Sequence, residues 1–130
     1  MTNGIGTRIS TLWIVVLFNM IFADILSFIV PGGLQKILAG DMGGIHPTQG
    51  LLLVFAVLLE IPIVMIFLSR ILRRGANRIV NIAACVVTIV FVIAGGSAYP
   101  HYIFFAAIEG ICMVFIAWSA IRWPKSTAVA

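Results

Sequence analysis

The chain has 130 residues, of which 62% are hydrophobic and 9% charged, and its formal net charge is +4. Soluble domains carry roughly 25% charged residues, so this composition excludes a water-facing globule. The positive balance is poor material for nucleic-acid binding, because no soluble basic face is available to carry a duplex.

Four apolar stretches organise the sequence, each near the length of about 20 residues that a spanning helix needs. They are Ser10–Val30, Gln49–Leu72, Asn77–Ala94 and Tyr99–Trp123. Together they leave no room for a soluble domain, so residues 1–130 read as a single domain. Barrel strands would be about 10 residues of alternating polarity, and these runs do not alternate. The first stretch is too long for a signal peptide, is interrupted by Asp24 and lacks a small-residue cleavage pattern. It is read as a retained helix.

The first connection, Pro31 to Thr48, is the longest and holds Gly32, Gly33, Gly40, Gly43 and Gly44. Within it Leu34, Ile37 and Leu38 have helical spacing, which predicts a short interfacial helix near the bundle mouth. The second connection runs through Arg73, Arg74, Gly75 and Ala76. Gly75 fits a helix C-terminus and Asn77 an N-cap of the third span. The third, Gly95 to His101, is tight, with Gly95, Gly96 and Pro100 as breakers. Short connections between neighbours predict an antiparallel up-down-up-down bundle.

Charge sets the orientation. Arg8, Arg70, Arg73, Arg74, Arg78, Arg122 and Lys125 all fall at one end of the predicted spans, and Lys36 alone at the other. The positive-inside rule makes both termini cytoplasmic in the inner (plasma) membrane. Tyr99 and Tyr102 are expected in an outer aromatic belt, and Trp13, Trp118 and Trp123 toward the inner interface. The arginine group around the second connection can also meet lipid phosphates, although topology already accounts for it. Asn77 and Asn81 beside it read as cap and packing residues.

Three of the four acidic residues, Asp24, Glu60 and Glu109, lie inside the apolar spans. A charge at mid-bilayer costs about 2.5–3.5 kcal/mol on insertion scales, so each must be protonated, paired, bound to a cation or facing a cavity. Counted from Arg8, Arg70 and Arg122 at 1.5 Å per residue, they lie roughly 24, 15 and 20 Å deep. Three helices thus offer an acid to one layer. Asn19, Ala23 and Ser27 share an arc with Asp24, and Tyr102, Cys112 and Met113 share a face with Glu109. On the third span Asn81, Cys85, Thr88, Val92 and Gly95 form a small or polar stripe, suited to close packing or to a pocket wall. Pro62 predicts a kink beside Glu60, because its ring clashes with the Leu58 carbonyl.

Other chemistries find little support. Three carboxylates fall short of the oxygen count of a good hard-cation site, and His46 and His101 lie outside the apolar core, so neither a metal nor a cofactor is expected. Cys85 and Cys112 form no C-x-x-C pair and read as small apolar fillers. Nucleophilic triads, phosphate loops and dinucleotide fingerprints are absent from the sequence, and no catalytic residue is assigned.

The strings Phe18-Asn19-Met20, Ala23-Asp24-Ile25-Leu26, Leu59-Glu60-Ile61-Pro62, Arg74-Gly75-Ala76-Asn77-Arg78 and Phe105-Ala106-Ala107-Ile108-Glu109 span nearly the whole chain. With them it resembles a family of small four-helix prokaryotic membrane proteins catalogued as a domain of unknown function. That resemblance implies a fold and no activity. In layout the chain is more distantly similar to DoxX-like and emopamil-binding (EXPERA) four-helix proteins, by helix count and buried carboxylates alone. Small multidrug transporters also pair four helices with a membrane glutamate, but theirs lies in the first helix and their charge bias is weak.

The fold read from the sequence is therefore all-α, an integral membrane antiparallel four-helix bundle. The leading function is a pocket of Asp24, Glu60 and Glu109, tuned by Asn19, Thr88 and Tyr102, that binds or transports a proton, a cation or a cationic amphiphile. Close carboxylates in a low-dielectric site cannot all ionise at once, so an arriving cation would displace a proton. A structural or assembly subunit ranks second. A membrane enzyme of isomerase type, acting on a lipid-like substrate, ranks third. Expected partners are membrane lipids, the small ligand and further copies of the chain, since four helices enclose little volume.

Overall fold

The structure is a computed structural model that describes residues 4–41 and 44–125. Its helices are α1 (Gly4–Ile29), α2 (Gly33–Leu38), α3 (Gln49–Ile71), α4 (Arg74–Ala94) and α5 (Pro100–Ile121). At 1.5 Å per residue the four long ones extend about 32–39 Å, enough for a hydrocarbon core of about 30 Å. All four are also apolar enough to cross a membrane, as expected of a multi-pass membrane protein. Large apolar side chains such as Phe67, Ile79, Ile93 and Val114 are exposed around the outside, the surface that lipid would cover.

Local chemistry sets the element ends. Thr48 caps α3, its hydroxyl accepting from the Leu51 N–H at 3.1 Å. Pro100 opens α5 at the first helical positions, where its missing N–H has no intrahelical role. The predicted short helix is α2, entered through Gly32 and followed by Gly40, whose φ values of 81° and 83° suit glycine. Of the loop glycines, Gly43 lies outside the described residues.

Two expectations change at the α3–α4 turn. Gly75 does not end a helix and Asn77 is not an N-cap, because α4 already begins at Arg74. Asn77 instead reaches back and donates to the carbonyls of Ser69 at 2.9 Å and Leu72 at 3.3 Å. The side chain thus satisfies the free carbonyls at the end of α3 from within the next helix.

The four long helices form a ring in which α1 packs on α3 and α5, and α4 packs on the same two. Every neighbouring pair is antiparallel, so α1 begins and α5 ends at the same end of the bundle. That end is basic and tightly closed. Gly6 lets α1 approach α3 closely: a Cβ there would lie 2.5 Å from the Ser69 carbonyl oxygen. One turn on, Ser10 donates to the Ile66 carbonyl at 2.7 Å and accepts from Arg70 at 3.0 Å. Arg74 donates twice to the Trp123 carbonyl, and Arg78 donates to those of Ala120 and Ile121. The arginines of α4 therefore cap the C-terminal end of α5, where carbonyls lack intrahelical partners and the dipole favours a cation.

Trp13 departs from the aromatic-belt reading. It is fully buried, and its indole N–H crosses the bundle from α1 to donate to Asn81 Oδ1 on α4 at 2.8 Å. The same oxygen accepts from Ser69 of α3 at 3.3 Å, and the Asn81 amide donates to the Asn77 carbonyl. Trp123 is buried as well, whereas Trp118 is exposed with the Arg122 guanidinium 4.6 Å from its ring centroid. Buried polar groups need partners where water is absent, and this network supplies them around one asparagine.

Candidate functional site

Core burial is lopsided along the bundle axis. The apolar core comprises Ile9, Trp13, Val16, Met65, Ala84, Cys85, Cys112, Met113, Ile116 and Trp123, most of them in the basic half. In α3 the buried residues are Pro62, Met65 and Ser69, with none between Gln49 and Ile61. The helices consequently stand apart in the other half and enclose a pocket of about 650 Å³. That volume falls within the roughly 300–1,000 Å³ typical of small-molecule sites.

Apolar side chains make most of the wall: Met20 from α1, Leu51, Phe55 and Leu59 from α3, Val90 and Phe91 from α4, and Ile45 from the long connection. Asp24, Tyr102 and Glu109 are the ionisable groups that line it. Glu109 is only 2% exposed, and its Oε1 has no hydrogen-bond partner. Asp24 is exposed. The two carboxylates and the Tyr102 phenol lie within electrostatic reach of one another, and among the described residues no basic side chain lines the pocket.

The helices hold these groups by short-range contacts. Tyr102 leans from α5 onto α4 and donates to the Val92 carbonyl at 3.2 Å. Gly96 leaves room for it, since a Cβ there would lie 3.3 Å from the tyrosine ring. Next to Asp24, Ala23 is buried in the helix packing. One turn further on, the hydroxyl of Ser27 hydrogen-bonds His101 Nε2 at 3.0 Å and ties α1 to α5. His101 in turn stacks on Tyr99, with ring centroids 5.6 Å apart.

Register places the acids at similar depth. The hydrogen bonds among Trp13, Ser69 and Asn81 define one layer, and the Cys85 thiol donating to the Met113 carbonyl defines the next. Measured from the first layer at 1.5 Å per residue, Glu109 lies about 12 Å, Glu60 about 14 Å and Asp24 about 16 Å along the axis.

Depth and facing are different properties, and the six residues singled out by sequence divide accordingly. Asp24, Tyr102 and Glu109 meet at the pocket. Glu60 is exposed on a separate groove between α3 and α4, with Val57, Ile61, Val64, Val80 and Val87. Asn19 donates to the Val15 carbonyl of its own helix at 2.8 Å and does not line the pocket. Thr88 is buried with no partner for its hydroxyl. The α4–α5 register sets it level with Glu109, and it does not line the pocket.

Sequence reasoning missed Phe55 and Phe91, which line the pocket and pack edge-to-face with centroids 5.9 Å apart. It also missed the close contact at Gly6. The spacing Gly6-x-x-x-Ser10, with small residues one turn apart, was the available signal.

Fold and site together define the chain as a multi-pass helical-bundle membrane protein with an acidic, largely apolar pocket in one half. The chain belongs to a family described as a family of unknown function (DUF6326), whose model matches residues 5–130. No curated protein and no solved structure matches it.

Proposed function

We propose that this protein binds a small molecule with an apolar body and a cationic or hydrogen-donating group, in the pocket lined by Asp24, Tyr102 and Glu109. One observation carries the reading: a glutamate 2% exposed, with an unpartnered oxygen, lines a pocket of about 650 Å³ whose other walls are almost wholly apolar. A buried carboxylate without a partner is costly, and a cationic or donor group supplied by a ligand would satisfy it. With carboxylates as its charged lining, the pocket favours positive over negative ligands, while the hydrocarbon walls favour an amphiphile over a bare ion. Transport would follow if the pocket opened alternately to two sides.

The test is ligand-dependent thermal stability of the detergent-purified protein with alkyltrimethylammonium ions of increasing chain length. A ligand at 100 times its Kd stabilises by about 2.7 kcal/mol, a readily measured rise in Tm. Wild type is expected to gain stability with chain length, and Glu109→Gln and Asp24→Asn to lose most of the gain. Equal stabilisation of wild type and both variants would reject the site.

A further inference from the structure

The carboxylate that stands outside the pocket is Glu60, and its groove adjoins the pocket. Val87 of α4 lines both spaces, so they meet at that side chain in the seam between α3 and α4. Glu60 lies toward the margin of the groove nearest the pocket, at nearly the same depth as Glu109 on the pocket wall.

Helix α3 is the least fastened element of the open half. In the open half α1 is tied to α5 by Ser27 and His101, and α4 to α5 by Tyr102. Among the described residues, the polar ties from α3 to other helices all lie from Ile66 onward, in the basic half. Above them α3 meets α4 through the Phe55–Phe91 contact, which contains no hydrogen bond. Pro62 is buried at the junction of the fastened and unfastened segments. Its ring removes a backbone hydrogen bond to the Leu58 carbonyl, which lowers the resistance of α3 to bending there. Val86 and Val90 of α4 line the pocket and are themselves 58% and 60% exposed, so this flank of the pocket faces outward.

Resting on the binding function proposed above, we infer that the ligand is a membrane-dissolved cationic amphiphile that reaches the pocket sideways, between α3 and α4, with Glu60 as the first carboxylate on its route. The inference accounts for a carboxylate held on an outward, apolar face. A cationic head in the bilayer would pair first with Glu60, pass Val87 and transfer to Glu109 and Asp24. Its hydrocarbon tail would stay along the valine- and leucine-lined seam. Glu60 sets the rate of arrival in this scheme, and Glu109 sets the affinity.

A residue met on the route but not in the bound complex changes association and dissociation equally and leaves Kd unchanged. The experiment uses the full chain in phosphatidylcholine nanodiscs with tritiated dodecyltrimethylammonium, at fixed lipid concentration so that partitioning is constant. Glu60→Gln and Glu60→Lys change an exposed residue of the groove that is not part of the pocket lining, and both are expected to fold. Both should slow association and dissociation together, Glu60→Gln by about tenfold for loss of local charge steering and Glu60→Lys by more, with Kd unchanged. Glu109→Gln should instead weaken binding at equilibrium. If Glu109→Gln weakens binding while both Glu60 variants keep wild-type rates, the sideways route is overturned and the pocket stands. If Glu109→Gln binds as tightly as wild type, the pocket and the route fall together.

Discussion

The hydrogen bond from Trp13 to Asn81 crosses the bundle between helices that are not neighbours in the ring, so its loss should be felt by the whole basic half. The perturbation is a double-mutant cycle of Trp13→Phe and Asn81→Ala. Phenylalanine keeps an aromatic ring but removes the indole N–H, and alanine removes the acceptor shared by Trp13 at 2.8 Å and Ser69 at 3.3 Å. Interhelical hydrogen bonds in membrane proteins average about 0.6 kcal/mol with a maximum near 1.7. The Trp13–Asn81 bond is fully buried and well inside hydrogen-bonding distance, which places its coupling energy toward the upper end, about 1–1.7 kcal/mol. Asn81→Ala alone should cost more, about 2–4 kcal/mol, because it also leaves the Ser69 hydroxyl and Asn77 groups short of a partner. Reversible unfolding in mixed micelles, titrated with a denaturing detergent and followed by circular dichroism, yields the four free energies. A coupling below about 0.3 kcal/mol, within the range of simple additivity, would refute the assignment of this bond as the cross-brace.

Further outcomes follow from other contacts. Gly6→Ala should destabilise by about 1–3 kcal/mol as overpacking, since its Cβ would meet a backbone oxygen 2.5 Å away; an unchanged unfolding midpoint would contradict the close α1–α3 approach. Arg78→Ala should cost about 1.5–3 kcal/mol by releasing the Ala120 and Ile121 carbonyls, and hydrogen exchange should rise first in the last turn of α5. Glu109→Met should leave the ligand-free protein as stable as wild type or raise its Tm, because it replaces an unpartnered buried oxygen with an apolar chain of similar size. A marked fall in Tm would mean that the glutamate has a structural partner. Glu60→Leu, on the exposed groove, should likewise leave the melting curve unchanged.

The sequence was most legible where lipid and water chemistry differ sharply. Span number, the short α2 helix and the basic end all follow from long apolar runs, glycine breaks and arginine positions. Facing was harder to read. Along α1, α3 and α5 the apolar residues encircle the helix, because lipid is as good a solvent for leucine as the bundle interior, so periodicity does not mark an inner side. Glu60 and Glu109 share a depth on that account, yet only Glu109 lines the pocket with Asp24. Helix α4 is the exception. Its buried Asn77, Asn81, Cys85, Thr88 and Val92 recur at three- and four-residue intervals; four of these five belong to the stripe read from the sequence, and Asn77 to the cap and packing pair. Trp13 resembles a belt residue in any span-end count; only its distant acceptor, Asn81, makes it a core residue. The start of α4 differs from its expected place for a related reason. Arg74 and Gly75 look like a turn locally, and they join α4 because Arg74 finds its partner on α5.

The capping of α5 by Arg74 and Arg78 gives the same two charges two successive jobs. By the positive-inside rule, basic residues beside a span bias which side retains the loop, before any helix has a neighbour. Once the bundle closes, they become fasteners that hold the last helix to the third long one. An experiment that deletes these arginines to invert the protein would therefore loosen it as well, and topology and assembly cannot be edited independently at this end.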